Sequence, residues 1–239
     1  MRRFAVALTI VISTAALAEI SLAADLPIKA PVKPPTPVLF SWTGFYLGIQ
    51  GGGGWADTQH TNVLNGINSG TVGIDGGLFG GTYGYNLQLG SWVLGLEGDF
   101  SWSGIKSNFV DNNGSDFCPP SLELQCVTNL RWFGTDRVRL GYVWDRLLVY
   151  GTAGVAYGNV EGTFVGAPFL VTVGNNTRSG FTYGGGVEWA FTPAWSVKAE
   201  YLHAGLGDKI TYNVANRFPQ SVSLTDINVA RVGLNFHFH

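Results

Sequence analysis

From Ser41 onward the chain alternates between two kinds of position. One set carries bulky apolar side chains and the interleaved set carries glycine, hydroxyls, amides and charges, which is the two-residue period of a strand and not the 3.6-residue period of a helix. Between Trp42 and Trp55 the first set is Phe45, Leu47 and Ile49, and the second is Gly44, Tyr46, Gly48 and Gln50. Gly76 to Leu89 sets Phe79, Tyr83, Tyr85 and Leu87 against Gly80, Thr82, Gly84, Asn86 and Gln88. Trp92 to Ser103 sets Trp92, Leu94, Leu96, Phe100 and Trp102 against Gly95, Glu97, Asp99 and Ser101. Five more such segments run from about Thr128 to Val143, Leu147 to Gly158, Gly180 to Phe191, Trp195 to His203 and Thr225 to Phe238, making eight strands. No run of 18 apolar residues occurs in this part, which excludes a spanning helix.

The connections alternate too. Ala56 to Asp75, Gly104 to Val127, Asn159 to Ser179 and Ala204 to Leu224 are long, whereas Gly90-Ser91, Trp144-Asp145-Arg146 and Thr192-Pro193-Ala194 are tight. An even strand number, tight turns at one end, long loops at the other and an apolar outer face are the marks of an outer-membrane barrel. The pattern predicts an all-β chain forming an eight-stranded antiparallel up-and-down transmembrane β-barrel, with residues 111 and 170 outside and both termini periplasmic. A soluble lipocalin-type barrel has the same strand count. Its core would then hold Glu97, Asp99, Arg137, Arg139, Glu188, Lys198, Glu200 and Arg231, with Phe, Leu and Trp in water, which reverses the usual cost.

Those eight charges change the picture of the interior. Four acids and four bases fall on the inward phase, so their formal sum is zero. Eight strands enclose a lumen that side chains just fill. A balanced set in so narrow a space is expected to form ion pairs and plug it.

Composition sharpens the exclusions. Only 13% of residues are charged, 34 are glycine and the net charge is -2. An aromatic content of 13% without a glycine triplet period excludes disorder and collagen, and a near-neutral chain gives no electrostatic basis for binding nucleic acid. Residues 1–23 read as a secretory signal peptide: Arg2 and Arg3, an apolar stretch from Phe4 to Leu17, and small residues at Ser21 and Ala23. A competing cleavage falls after Ala18. Residues 24–40, with prolines at 27, 31, 34, 35 and 37, read as an extended periplasmic linker, and residues 41–239 as the barrel.

Several local motifs now combine: Ala24-Asp25-Leu26-Pro27 with the proline linker, Phe40-Ser41-Trp42-Thr43-Gly44-Phe45-Tyr46, Leu96-Glu97-Gly98-Asp99-Phe100, Val149-Tyr150-Gly151-Thr152, Gly184-Gly185-Gly186-Val187-Glu188-Trp189 and Lys198-Ala199-Glu200-Tyr201. Together they make the whole chain resemble the Omp25/Omp31 family, small immunogenic outer-membrane barrels of alphaproteobacteria related to the OmpA transmembrane domain. The resemblance implies residence in the outer membrane of a Gram-negative bacterium, surrounded by outer-membrane lipid. It also implies insertion by the barrel-assembly machinery, read through Phe236 and Phe238. His239 after Phe238 departs from the usual terminal aromatic. Asp136 departs as well, since the phase of Arg137 and Arg139 puts it on the lipid face, where a carboxylate is expensive. A local bulge, access of water or protonation is expected there.

Cys118 and Cys126 are the only cysteines and share one long connection. In an oxidising compartment they are expected to form a disulfide worth roughly 2.5 kcal/mol in the chain-entropy model. No metal set is visible, since His60, His203, His237 and His239 are spread along the chain. Some relatives in the family have been linked to haem, for which His60 or His203 with Tyr212 are the available ligands, but their spacing does not favour that role. A nucleophile with base and orienting acid is missing beside His203, and Gly51 to Gly54 lacks the Lys-Ser/Thr of a phosphate loop. No cofactor and no enzymatic activity are therefore expected. The leading expectation is a structural barrel that supports envelope integrity and presents surface loops, ahead of a narrow porin and a haem-binding surface protein.

Overall fold

The computed structural model describes residues 40–62, 68–109, 125–166, 169–207, 210–214 and 218–238. The strands are β1 (Gly44–Asn62), β2 (Asn68–Leu89), β3 (Trp92–Phe109), β4 (Gln125–Trp144), β5 (Leu147–Gly166), β6 (Phe169–Ala190), β7 (Trp195–Ala204), β8 (Ile210–Val214) and β9 (Phe218–Phe238). Neighbours in sequence pair antiparallel from β1 to β7, β7 pairs with β9, and β9 pairs with β1 to close the sheet. The short β8 pairs with the outer part of β9, further along the edge that β7 occupies. β7 and β8 are therefore two pieces of one stave, and the barrel has eight.

Pair partners followed once round the barrel start at Phe45, pass Tyr85, Leu96, Val138, Ala153, Tyr183, His203 and Asn228, and return to β1 at Trp55, ten residues further along. That stagger tilts the strands by roughly 40° from the barrel axis. The tight ends are two-residue turns at Gly90-Ser91 and Asp145-Arg146, where Gly90 (φ 63) and Asp145 (φ 53) adopt the left-handed conformation, and a bend over residues 191–194.

The outward phase is the apolar one through the lower part of the wall, with Phe45, Leu96, Trp102 and Phe181 each about two-thirds exposed. Trp92, Trp144, Trp189 and Trp195 stand at the tight-turn ends of their strands, and Trp55, Trp102 and Trp132 form the opposite girdle. At this tilt the two rows lie about 25 Å apart, the height of an outer-membrane apolar band.

One expectation needs correction. The connections taken to be long loops are in large part strand, since the ladders continue to Thr61↔Asn68, Phe109↔Cys126, Gly166↔Phe169 and Val214↔Phe218. Above the upper girdle the outward positions become Asp57, Asp75, Lys106 and Asp226, so the apolar signal that marks a strand in lipid vanishes while backbone pairing goes on. The seventh stave is also broken. Gly205-Leu206-Gly207, with Gly207 at φ 69, leaves the ladder and turns the Leu206 side chain into the lumen. The Gly205 amide donates to the Phe181 carbonyl at 3.0 Å, and a Cβ at Gly180 would overlap the Gly205 carbonyl oxygen.

Candidate functional site: the barrel lumen

The inward side chains divide the lumen into three layers. At the tight-turn end lies an apolar cap in which Trp42, fully buried, packs with Val93, Val143, Leu148, Tyr150 and Ala190. The segment before β1 is tied there: the Trp42 amide donates to Gln88 Oε1 at 2.8 Å and the Gln88 amide donates to Thr43 Oγ1 at 2.9 Å.

The second layer is charged, and all eight ionic side chains marked by strand phase meet in it. Three of its acid–base pairs are direct partners across neighbouring strands: Glu97↔Arg137, Glu188↔Lys198 and Glu200↔Arg231. The longer side chains then reach past their neighbours. Arg137 holds Glu97 (2.5 Å), Glu200 (2.7 Å) and Asp99 (3.1 Å). Arg139 joins Glu188 (2.7 Å) to Glu97 (3.2 Å). Lys198 crosses from β7 to Glu97 on β3 (3.0 Å), leaving its cross-strand partner Glu188 to Arg139. Arg231 clasps both oxygens of Asp99 (2.9 and 2.7 Å) and donates from Nε to Glu200 (2.8 Å). Such bidentate geometry is the strong form of the interaction.

Sequence reasoning missed the neutral members of this layer. Tyr46 donates to Glu97 (2.7 Å) and accepts from Arg139 (3.0 Å), and Tyr150 donates to Glu200 (3.2 Å) while its ring lies 4.3 Å from the Arg139 guanidinium carbon. Thr135 donates to Asp99. Glu188 also receives Ser196 (2.5 Å) and Asn235 (2.7 Å). Their inward phase was the available signal: Tyr46 and Tyr150 sit where other strands carry charges.

The third layer is apolar again. Ile74, Leu78, Ile105, Leu130, Phe133, Ala156, Val160, Leu202, Leu206, Ile227 and Val229 form one buried cluster on the loop side of the charges. Thr58, Thr128 and Glu161 are buried further toward the mouth.

The remaining candidates lie elsewhere. Ser196 Oγ is 2.8 Å from His237 Nε2, but Glu188 faces that same nitrogen at 3.5 Å, whereas a nucleophile triad needs the acid on the other one. All three side chains are buried. His203 is on the outer wall, bonded to Asn228 (3.0 Å), 3.6 Å from Asp226 and against the Tyr183 ring. Among the described residues no group of three or more His, Cys, Asp or Glu can hold a metal. Cys118, His239, the side chains of Cys126, His60 and Tyr212, the signal peptide and the linker up to residue 39 all lie outside the described residues.

Asp136 is exposed on the outer wall as its phase predicts, and of the three accommodations expected there the bulge is absent. Its register with Gly98 and Val155 is regular, and the nearest irregularities are at Trp102/Ile105 and Leu130/Trp132. Two phenols serve it instead, Tyr157 at 3.1 Å and Tyr83 at 3.5 Å. Each ring lies over a glycine, Tyr83 over Gly98 and Tyr157 over Gly134, where a Cβ would collide with it.

The closed barrel can now be set beside known proteins. Residues 4–238 match the model of the outer membrane protein beta-barrel domain. The chain belongs to that family. Within it, the 31 kDa outer-membrane immunogenic protein of Brucella melitensis is 38% identical over 238 residues, covering 94% of this chain and 96% of that one. A 22 kDa outer membrane protein of Rhizobium leguminosarum is 32% identical over 186 residues, 76% of this chain and 70% of its own. The 25 kDa outer-membrane immunogenic protein of Brucella abortus is 27% identical over 240 residues, 96% and 98%. This Omp25/Omp31-type protein is accordingly an outer-membrane protein of a Gram-negative bacterium. Among solved structures, OprG of Pseudomonas aeruginosa is similar at 13% identity and a TM-score of 0.49, over 84% of this chain and 100% of that one.

Proposed function

We propose that this family member is a non-enzymatic structural barrel that supports the integrity of the outer membrane and holds four hairpins on the cell surface, with a lumen plugged by its own side chains. One observation carries the reading: among the described residues three packed layers succeed one another along the interior, with Trp42 below, the eight-membered ion-pair network in the middle and the Leu130 cluster above. Such a filled barrel binds its surroundings through its outside, the aromatic girdles meeting lipid and the surface hairpins meeting whatever lies beyond. Ser196, His237 and Glu188, the Ser-His-acid set of the lumen floor, are buried away from any substrate outside the barrel.

Single-channel recording on refolded protein in planar bilayers tests the reading against the narrow-porin alternative. Closed traces, with brief small openings at most, are expected. Steady conductance from the intact protein would give the porin reading its place.

A further inference from the structure

Above the Trp42 cap the plugged lumen holds two layers of different chemistry, a charged one and an apolar one beyond it. We infer that the outer apolar layer, not the ion-pair network, is the barrier that keeps ions and water from crossing the barrel. This rests on the closed-lumen reading and says which residues close it.

The charged layer is suited to water. Its carboxylates and guanidinium groups are polar throughout, and it holds spare hydrogen-bonding atoms that no described residue satisfies: both ends of the Asn86 amide, Gln50 Oε1 and Asn235 Oδ1. Buried water occupies sites with several polar partners and shuns apolar ones. Neutralising or shortening one member of the network therefore leaves room that water fills, and filled room still ends against the next layer.

That next layer offers water nothing. Leu78, Ile105, Leu130, Phe133, Leu202 and Ile227, from β2, β3, β4, β7 and β9, belong to one buried cluster, each at most 6% exposed. Hydrophobic constrictions stop ions by staying dry even where the backbone leaves space. The layer is also supported from outside, because the wall around it bears Asp57, Asp75, Lys106 and Asp226 outward. Around Ile74, Ile105 and Ile227 the barrel thus has a water-soluble protein's arrangement, apolar within and polar without, and that part of its core is held together by the force that holds any such core.

The test compares two variants with the wild type in planar bilayers. R139Q/E188Q neutralises both partners of one bond of the charged layer and shortens the side chain at 139. L130N/I227N places two amides in the apolar layer. The expected result is a closed wild type, a closed R139Q/E188Q, and ion flux through L130N/I227N raised at least tenfold. Conductance from R139Q/E188Q with L130N/I227N closed would overturn the inference, and so would two closed variants. Steady conductance of the wild type would instead remove the closed-lumen reading on which it rests. Folding of each variant is checked by its heat-dependent gel mobility. Should L130N/I227N fail to fold, L130S alone is recorded, with a tenfold rise expected and an unchanged trace counting against the inference.

Discussion

Arg139 ties the carboxylates of the lumen to its phenols, since it bonds Glu97, Glu188 and Tyr46 and stacks near Tyr150. Arg139→Ala should leave Glu188 with only neutral or distant donors and cost about 3–5 kcal/mol. Urea unfolding followed by tryptophan fluorescence in lipid measures it. R139M/E188M, which removes both charges, should cost much less, because no charge is stranded. Asp136 poses the opposite problem on the lipid face. Asp136→Leu should stabilise the barrel by about 1–2 kcal/mol. Y83F/Y157F should destabilise the parent but not the Asp136→Leu protein, an interaction that a double-mutant cycle isolates. If the phenol substitutions cost the same in both backgrounds, the two tyrosines serve the wall and not the carboxylate.

Among elements, the broken stave is the most exacting. Gly180 faces the Gly205 carbonyl so closely that Gly180→Val must displace the Gly205–Gly207 segment and disturb the seat of Leu206 in its cluster. A loss of about 1–3 kcal/mol is expected, seen as a lower temperature for the shift from folded to unfolded gel mobility. This break was illegible in the sequence, where Ala204-Gly205-Leu206-Gly207 reads as an ordinary strand end. The membrane-spanning strands were legible because lipid outside and charge inside write opposite chemistry on the two faces, as in Leu96, Glu97 and Gly98. The outer ladders were not, because the phase inverts: at Ile74 and Asp75, or Leu130 and Arg131, the inward residue is the apolar one. An alternation that changes sign partway looks like the end of a strand. The charges of the lumen were readable by phase alone, but their partners were not, since Lys198 passes over Glu188 to reach Glu97 across the barrel.

At the scale of the whole molecule, one continuous sheet serves two solvents. Its lower part is apolar outside and polar inside, its upper part the reverse, and the change falls near the girdle of Trp55, Trp102 and Trp132. The change has a mechanical result for the surrounding bilayer. A slip of one strand period toward the periplasm would draw Asp57, Asp75 and Lys106 toward hydrocarbon on three adjacent strands, and a slip the other way would lift Trp92, Trp144 and Trp189 off their interface. The barrel is therefore pinned in depth from both ends. Where the ambient membrane is thicker or thinner than its band, the annulus of lipid must stretch or compress to meet it, at a cost that grows with each ångström of mismatch. Whether or not anything crosses its lumen, the protein thus acts on the membrane, by setting the thickness of the lipid that touches it.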